Sequence, residues 1–463
     1  MSDYLSAVEV ISRLADEGSF VAWDDPIVHG DVTEEYEAQL RRAAHRTGCD
    51  EAVITGSARM GGHRVALIVS EFGFLGGSVG TLAAARIVAA VHRATEEELP
   101  LIGLPASGGT RMQDGAAAFA AMVDIATAVR AHALVGLPYF VYLRNPTTGG
   151  TLASWGTLGH LTIAEPHAFI GFLGPAVVQA ITGEQIDPAV QRSENLFANA
   201  QVDLVADIDT ARVLLARALG LVLVARIEGD GRTLTAVDEP IALSSWDAVV
   251  LSRSDREDAN ELVSPSRSVF LRGSGDGRQP LLIAMTRMNG LACLVIAHDR
   301  RAELRGCRLN PRALRDAQRA LRVAEELRLP VVTLIDTAGA ELSADAETSG
   351  LAAEIAECAA AMGGVSVPSV SVLIGEGAGG GAMALFPAAR RLALPAAWFS
   401  PLPPEGSSQL MHGTPDNAAV VADAQRIGSR FLFEDGVIDD VIPDLMHVPG
   451  AIELALSEQR VRA

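Results

Sequence analysis

The sequence contains no lysine: all 37 basic side chains among its 463 residues are arginines. That removes the P-loop lysine, the Schiff-base lysine and any attachment point for biotin or lipoate. Basic charge is scarce overall, with 57 acids giving a formal net charge of −20. A nucleic-acid binder needs a basic stripe, so none is expected here. The four cysteines, Cys49, Cys293, Cys307 and Cys358, form no C-x-x-C pair. This speaks against a zinc ribbon or a disulfide framework and suits a reducing compartment. The ten histidines fall into no H-x-x-x-H or H-E-x-x-H pattern, so no metal is expected. The start MSDYLSAVEV lacks the basic and apolar segments of a signal peptide. No apolar run of 18 or more stands out, so no membrane span is expected, and the chain reads as cytoplasmic.

What the sequence does hold is a repeat. ATEEELPLIGLPASGG (94–109) parallels AEELRLPVVTLIDTAG (324–339), and VGLPYFVYLRNPTTGG (135–150) parallels VSVPSVSVLIGEGAGG (365–380). Pro100 and Pro330, Gly109 and Gly339, Pro138 and Pro368, and Gly149 and Gly379 all keep one spacing, 230 residues. FANAQVDLV (197–205) and FEDGVIDDV (433–441) echo each other more loosely. Self-similarity at fixed spacing means two copies of one fold. In each copy a strand (Val65–Glu71; Ala292–His298) leads to an Ala/Arg-rich helix (about 81–99; 311–329). A strand (Leu101–Pro105; Val331–Ile335) then ends in a glycine turn. Another (Tyr139–Leu143; Ser369–Ile374) ends in a second. Short apolar runs alternating with helical patterns indicate an α/β fold of parallel strands covered by helices. The polar stretch 226–262 places the join near residue 235, giving domains 1–235 and 236–463.

The four glycine turns, Ser107-Gly108-Gly109-Thr110, Thr148-Gly149-Gly150, Ala338-Gly339 and Gly379-Gly380-Gly381, each lie between a strand and a helix start. That placement aims unpaired N–H groups outward, with no side chain to obstruct an approaching oxyanion. A single Gly-Gly makes a tight turn and nothing more; four at repeat-equivalent positions point to function. Gly375-Glu376-Gly377-Ala378-Gly379-Gly380 also satisfies G-x-G-x-x-G. A dinucleotide fingerprint needs an acid about 20 residues on at a strand end, and the next acid, Glu405, lies in what reads as a loop.

FLGGSVG (74–80), PASGGTRMQDG (105–115), NPTTGG (145–150), TIAEPHAFIGFLGP (162–175) and QRSENLFANAQVDLV (191–205) resemble the β half of the acetyl-CoA carboxylase carboxyltransferase. LIDTAGAELSADAETSGLAAEIA (334–356), IGEGAGGGAMA (374–384), SPLPPEG (400–406) and GVIDDVIP (436–443) resemble its α half. One chain with both halves resembles the fused subunits of actinobacterial acyl-CoA carboxylases, members of the crotonase superfamily.

The resemblance implies tandem crotonase-like domains, spirals of ββα units, with the acyl-CoA side in the first and the carboxybiotin side in the second. Biotin would sit on a partner carrier charged by a biotin carboxylase subunit, and the chain would be a homodimer or larger. Carboxyl transfer to a short acyl-CoA, acetyl-CoA to malonyl-CoA above all, develops two oxyanions and needs two holes. Gly108 and Gly109 are expected to form one, and Gly380 and Gly381 the other. Gly76, Gly77, Thr148, Gly149, Gly150, Gly339 and Gly379 are expected around the substrates, with Arg86 and Arg111 on phosphate; Arg111, directly after the first turn, could instead simply pair with a carboxylate. The same holes would also serve a decarboxylase of a malonyl-type thioester, and an inactive scaffold is the third reading. Two departures stand out. The family's zinc ribbon is missing, and its DTPGAxPG loop becomes Asp336-Thr337-Ala338-Gly339-Ala340-Glu341-Leu342-Ser343, losing two prolines and a glycine.

Overall fold

A computed structural model describes residues 4–30, 32–225 and 243–462. The chain divides into two compact units, Met1–Gly220 and Leu221–Ala463. The join expected near residue 235 lies outside the described residues.

Each unit is built on a seven-stranded sheet. In the N unit the strands run, in spatial order, β1 (Val21–Ala22), β2 (Val53–Met60), β3 (His63–Ser70), β4 (Leu101–Leu104), β5 (Tyr139–Leu143), β6 (Leu161–Ala164) and β7 (Leu204–Val205). In the C unit they run β8 (Val269–Phe270), β9 (Leu281–Met288), β10 (Leu291–His298), β11 (Val331–Thr337), β12 (Ser369–Gly377), β13 (Arg390–Ala393) and β14 (Asp440–Val441). The first three strands of each sheet pair antiparallel and the rest parallel. The repeat is thus one topology used twice. Leu101 pairs with Tyr139 and Val331 with Ser369, the same register at the same spacing.

The parallel strands are those the sequence displays best. β11 and β5 are buried along their whole length, as continuous apolar runs covered on both faces should be. In the antiparallel hairpins that precede them, the second strands β3 and β10 are those expected from the sequence and the first strands β2 and β9 are an addition. β2 and β3 turn through Gly61-Gly62 (φ +56° and +82°), β9 and β10 through Asn289-Gly290 (φ +44° and +85°). Both have the positive φ pair of a tight two-residue hairpin turn.

Helix Thr81–Glu96 buries Ala83, Ala84, Ile87 and Val91 in the N-unit core. Its counterpart Pro311–Glu326 starts at Asn310, whose side chain accepts from Ala313 N–H at 3.0 Å, with Pro311 in the first turn. Helix Gly115–Leu134 bears on one expectation. With the turn before it, Met112–Leu134 is long and apolar enough by composition to cross a membrane, although Asp124 and Arg130 interrupt it. In this fold it packs Met122, Ile125 and Val129 into the core beside helix Thr81–Glu96.

Candidate active site

In the N unit β4 feeds the turn Ser107–Thr110 and β5 feeds Thr148–Gly150. A short ladder joins the turns: Ser107 N–H donates to Pro146 O at 2.7 Å and Thr148 N–H to Ser107 O at 2.9 Å. Gly109 (φ +110°) and Gly149 (φ +61°) touch across the ladder. A Cβ on Gly109 would lie 3.2 Å from the Gly149 Cα, and one on Gly149 3.1 Å from the Gly109 Cα. Both therefore need glycine, for backbone angle and for approach. The Gly76–Gly77 loop lies against the same turn, and a Cβ on Gly77 would collide with Ala106 O.

The C unit repeats most of these stitches. Ala378 N–H donates to Thr337 O at 3.1 Å, and Gly379 (φ +61°) sits opposite Gly339 (φ +126°). Gly109 N–H donates to Ser107 Oγ at 3.0 Å, and Gly339 N–H to Thr337 Oγ1 at 3.1 Å. Gly149 N–H reaches Phe172 O at 3.0 Å, and Gly379 N–H reaches Ser400 O at 2.9 Å.

These bonds decide which donors remain for a ligand. Gly108 N–H is held by Gly76 O at 2.9 Å and Gly109 N–H by Ser107 Oγ, so the expected pair is already occupied. Among the described residues the open N–H groups of the N-unit turns are those of Thr110 and Gly150, one from each turn. In the C unit they are those of Ala340, Gly380 and Gly381. The expected Gly380 and Gly381 stay open because the first N–H groups of a helix have no acceptor within it. Ala340 and Thr110 escape motif reading, since their N–H groups stand out only once every neighbouring N–H has found its acceptor. A Cβ on Gly381 would lie 3.2 Å from Ala340 N, and one on Gly150 would meet Thr110 Oγ1, so in each unit the two turns bring the residues that carry the open donors together. Preorganised N–H groups of this kind can stabilise an oxygen as it gains charge. The N-unit turns themselves carry only glycines and hydroxyl residues and so offer no side-chain base.

Arg111 and Arg86 are not placed as phosphate ligands. Arg111 is 1% exposed, and its guanidinium lies against Glu51, which is fully buried. It also donates to Ser78 O at 2.7 Å, to Ser78 Oγ at 3.4 Å and to Tyr36 Oη at 3.3 Å, so all three nitrogens are engaged. Burial works against its charge, and the Glu51 carboxylate more than reverses that, holding the guanidinium above its ordinary range. Burial together with Asp114 pushes the Tyr36 hydroxyl up to about 12. Asp114 in turn caps helix Thr81–Glu96 by accepting from Thr81 N–H at 2.8 Å. Arg86 is spent in the same way, on Asp50, the Val53 and Asp25 carbonyls and, at 3.4 Å, Asp24. Both arginines bolt the N unit together, and a phosphate would have to displace carboxylates to reach them.

The C unit carries its charges just behind the turns. Asp336, at the end of β11, is 1% exposed; it accepts from Arg256 at 2.7 Å and from Glu376 N–H at 3.0 Å. Burial raises its carboxyl above the usual range, against the pull of Arg256 and Arg300. Arg253 spans Glu376 at 2.9 Å and Glu405 at 2.6 Å. Glu405 stands in the first turn of helix Pro404–His412 and not in a loop. Gly375, Glu376 and Gly377 belong to β12. Among the described residues no group of three or more His, Cys, Asp or Glu side chains is placed to hold a metal.

Comparison with known proteins adds to this geometry. The carboxyl transferase domain family matches residues 4–237, and the acetyl co-enzyme A carboxylase carboxyltransferase-like family matches residues 233–452. A probable biotin-dependent acyl-coenzyme A carboxylase beta3 subunit from Mycobacterium tuberculosis is 44% identical, over 93% of this chain and 87% of its own length. Acetyl-coenzyme A carboxylase carboxyl transferase subunits beta/alpha from Salinispora arenicola is 34% identical, over 95% and 82%. Among solved structures, transcarboxylase 12S, a hexamer with hydrolysed methylmalonyl-coenzyme A bound, superposes with a TM-score of 0.80. It covers 98% of this chain and 90% of its own at 20% identity, which speaks for the fold.

Proposed function

The chain belongs to the carboxyltransferase family of biotin-dependent acyl-CoA carboxylases, and from that premise we propose that it carboxylates the α-carbon of a short acyl-CoA, acetyl-CoA first. One observation carries the reading: each unit leaves open an N–H from each of its two glycine turns, at equivalent places. Carboxyl transfer to a thioester develops negative charge on two oxygens, one on each reactant, and two sets of donors answer that need.

Carboxybiotin, delivered on a separate carrier, supplies CO₂ and a proton acceptor. Lysine-free, this chain cannot carry biotin itself. In the N unit the Thr110 and Gly150 N–H groups hold the thioester oxygen as the α-proton leaves. Gly76, Gly77, Gly108, Gly109, Thr148 and Gly149 shape the backbone around them. In the C unit the Ala340, Gly380 and Gly381 N–H groups, with Gly339 and Gly379 shaping the turns, face the ureido oxygen. Neither task needs a side-chain base. The division follows the motifs: the first half resembles the β side and the second the α side of the family.

Apolar side chains stand exposed in the elements that follow the turns: Met112, Phe119, Val123 and Phe172 in the N unit, Leu342, Leu410 and Met411 in the C unit. Exposed groups of this kind support an assembly of at least two copies that covers them.

The test is the reverse reaction, malonyl-CoA with free biocytin and purified chain. Formation of acetyl-CoA that requires biocytin is expected. Release of CO₂ from malonyl-CoA at the same rate without biocytin would replace this reading with a decarboxylase. Failure to bind any acyl-CoA would leave a scaffold.

A further inference from the structure

One stitch differs between the two units. In the N unit the N–H of Gly108, second in the turn, is held by a backbone carbonyl, Gly76 O. In the C unit the equivalent N–H, that of Ala338, is held at 3.0 Å by a side chain, Glu303 Oε1. We propose that Glu303 is a positioning residue for carboxyl transfer, setting the Ala338–Ala340 turn so that the Ala340 N–H lies beside those of Gly380 and Gly381. The proposal rests on the reading above, in which these donors face the carboxyl carrier.

Glu303 belongs to the short helix Arg300–Leu304, anchored by Asp299, whose side chain accepts from Ala302 N–H. Its side chain is 13% exposed, and one oxygen gathers three donors: Ala338 N–H, the Thr337 hydroxyl at 3.3 Å and Arg308 at 2.7 Å. The Thr337 hydroxyl, within donating reach of the carboxylate at 3.3 Å and of Gly339 O at 3.2 Å, keeps a lone pair for Gly339 N–H. Glu303 therefore reaches both peptides that precede Ala340, one directly and one through Thr337. In the N unit the counterpart of Thr337, Ser107, is steadied instead by the Thr151 hydroxyl at 3.0 Å. Glu303 also explains how the altered 338–343 loop stays in shape. Prolines are missing there, and proline is what restricts a loop's backbone; a buried, charge-assisted acceptor supplies restraint by another route. Burial raises the Glu303 carboxyl, against Arg308 and the Ala338 N–H and helped by nearby Asp336, which fits an anchored, poorly solvated group.

The experiment compares Glu303→Ala and Glu303→Gln in the full chain, using malonyl-CoA and biocytin. The Ala protein should lose roughly 10- to 10²-fold in kcat/KM for biocytin, the scale of a misplaced reacting group, with acyl-CoA affinity by calorimetry unchanged. The Gln protein keeps an oxygen acceptor and should recover most of the loss. Hydrogen exchange over 337–341 should speed up in the Ala protein and return toward normal in the Gln protein. Normal biocytin kinetics with Ala, equal loss of acyl-CoA binding, or Gln no better than Ala would each overturn the proposal. A wild type that transfers no carboxyl group would sink the functional reading alone, and the exchange measurement would still decide whether Glu303 holds the turn.

Discussion

The two units reach the same pair of turns by different chemistry. In the N unit the supports close to the turns are uncharged: Gly76 O, Ser107 Oγ, Thr151 Oγ1 and Phe172 O. Its buried charge sits one residue further on, in the Arg111–Glu51 pair. In the C unit a carboxylate reaches a turn itself, Glu303 on Ala338, and Asp336 accepts from Glu376 N–H just behind the turns. The position equivalent to Arg111 is Glu341, whose side chain accepts from Ser343 Oγ at 2.6 Å. A backbone path can thus outlast a complete exchange of the side chains that support it, provided each buried N–H keeps an acceptor.

Three experiments probe that asymmetry. The largest effect is expected from Arg111→Met, which strands Glu51 without its partner and should cost about 3–5 kcal/mol in denaturant unfolding. Glu341→Gln at the equivalent C-unit place should stay within about 0.5 kcal/mol. Equal losses would mean that the units are braced alike. Next come the turn glycines. Gly109→Val meets backbone at 3.2 Å as well as a positive φ, whereas Gly339→Val meets its nearest atom at 3.9 Å and faces the φ strain alone. Turnover should fall at least ~10²-fold in the first, the size of losing an oxyanion donor. In the second it should fall about tenfold, as strain of ~1–3 kcal/mol allows. Near-normal turnover of Gly109→Val would remove the N-unit turn from the chemistry.

The smallest effect is the pH dependence of stability. Glu303 has its carboxyl raised by burial, so folding favours the protonated form. Its contribution is complete below the ordinary glutamate value of 4.5 and is lost as pH rises through the raised value. The Glu303→Gln protein is neutral throughout, so its melting temperature should exceed wild type at pH 8 and the gap should close below about pH 4.5. Buried His132 and His298 have the opposite sign. Burial lowers both to about 4 from 6.5, so their contribution is present above 6.5 and lost as pH falls through about 4. A pH-independent gap between wild type and the Gln protein would show that Glu303 is solvated after all.

Much of this arrangement can be read without coordinates. The 230-residue spacing locates β4, β5, β11, β12 and all four turns, because parallel strands are written as unbroken apolar runs. The leading strand β2 hides because Gly56, Ser57 and Arg59 break its apolar pattern. The hairpin turns at Gly61-Gly62 and Asn289-Gly290 were the available signal for β2 and β9. The open donors were only half legible. Glycine turns mark where N–H groups gather, but which of them stay open depends on acceptors far away in sequence, such as Gly76 for Gly108. Arg111 stays ambiguous between phosphate and carboxylate for the same reason: its partner Glu51 lies 60 residues upstream, and nothing beside the turn announces it.

The open donors of both units belong to the main chain, and every amino acid except proline supplies one. A replacement at Thr110 or Ala340 that leaves the backbone path intact therefore still presents the same N–H. In the proposed role, side chains around such a site can be exchanged while the donors themselves are kept. A single proline is the one replacement that would silence a donor outright.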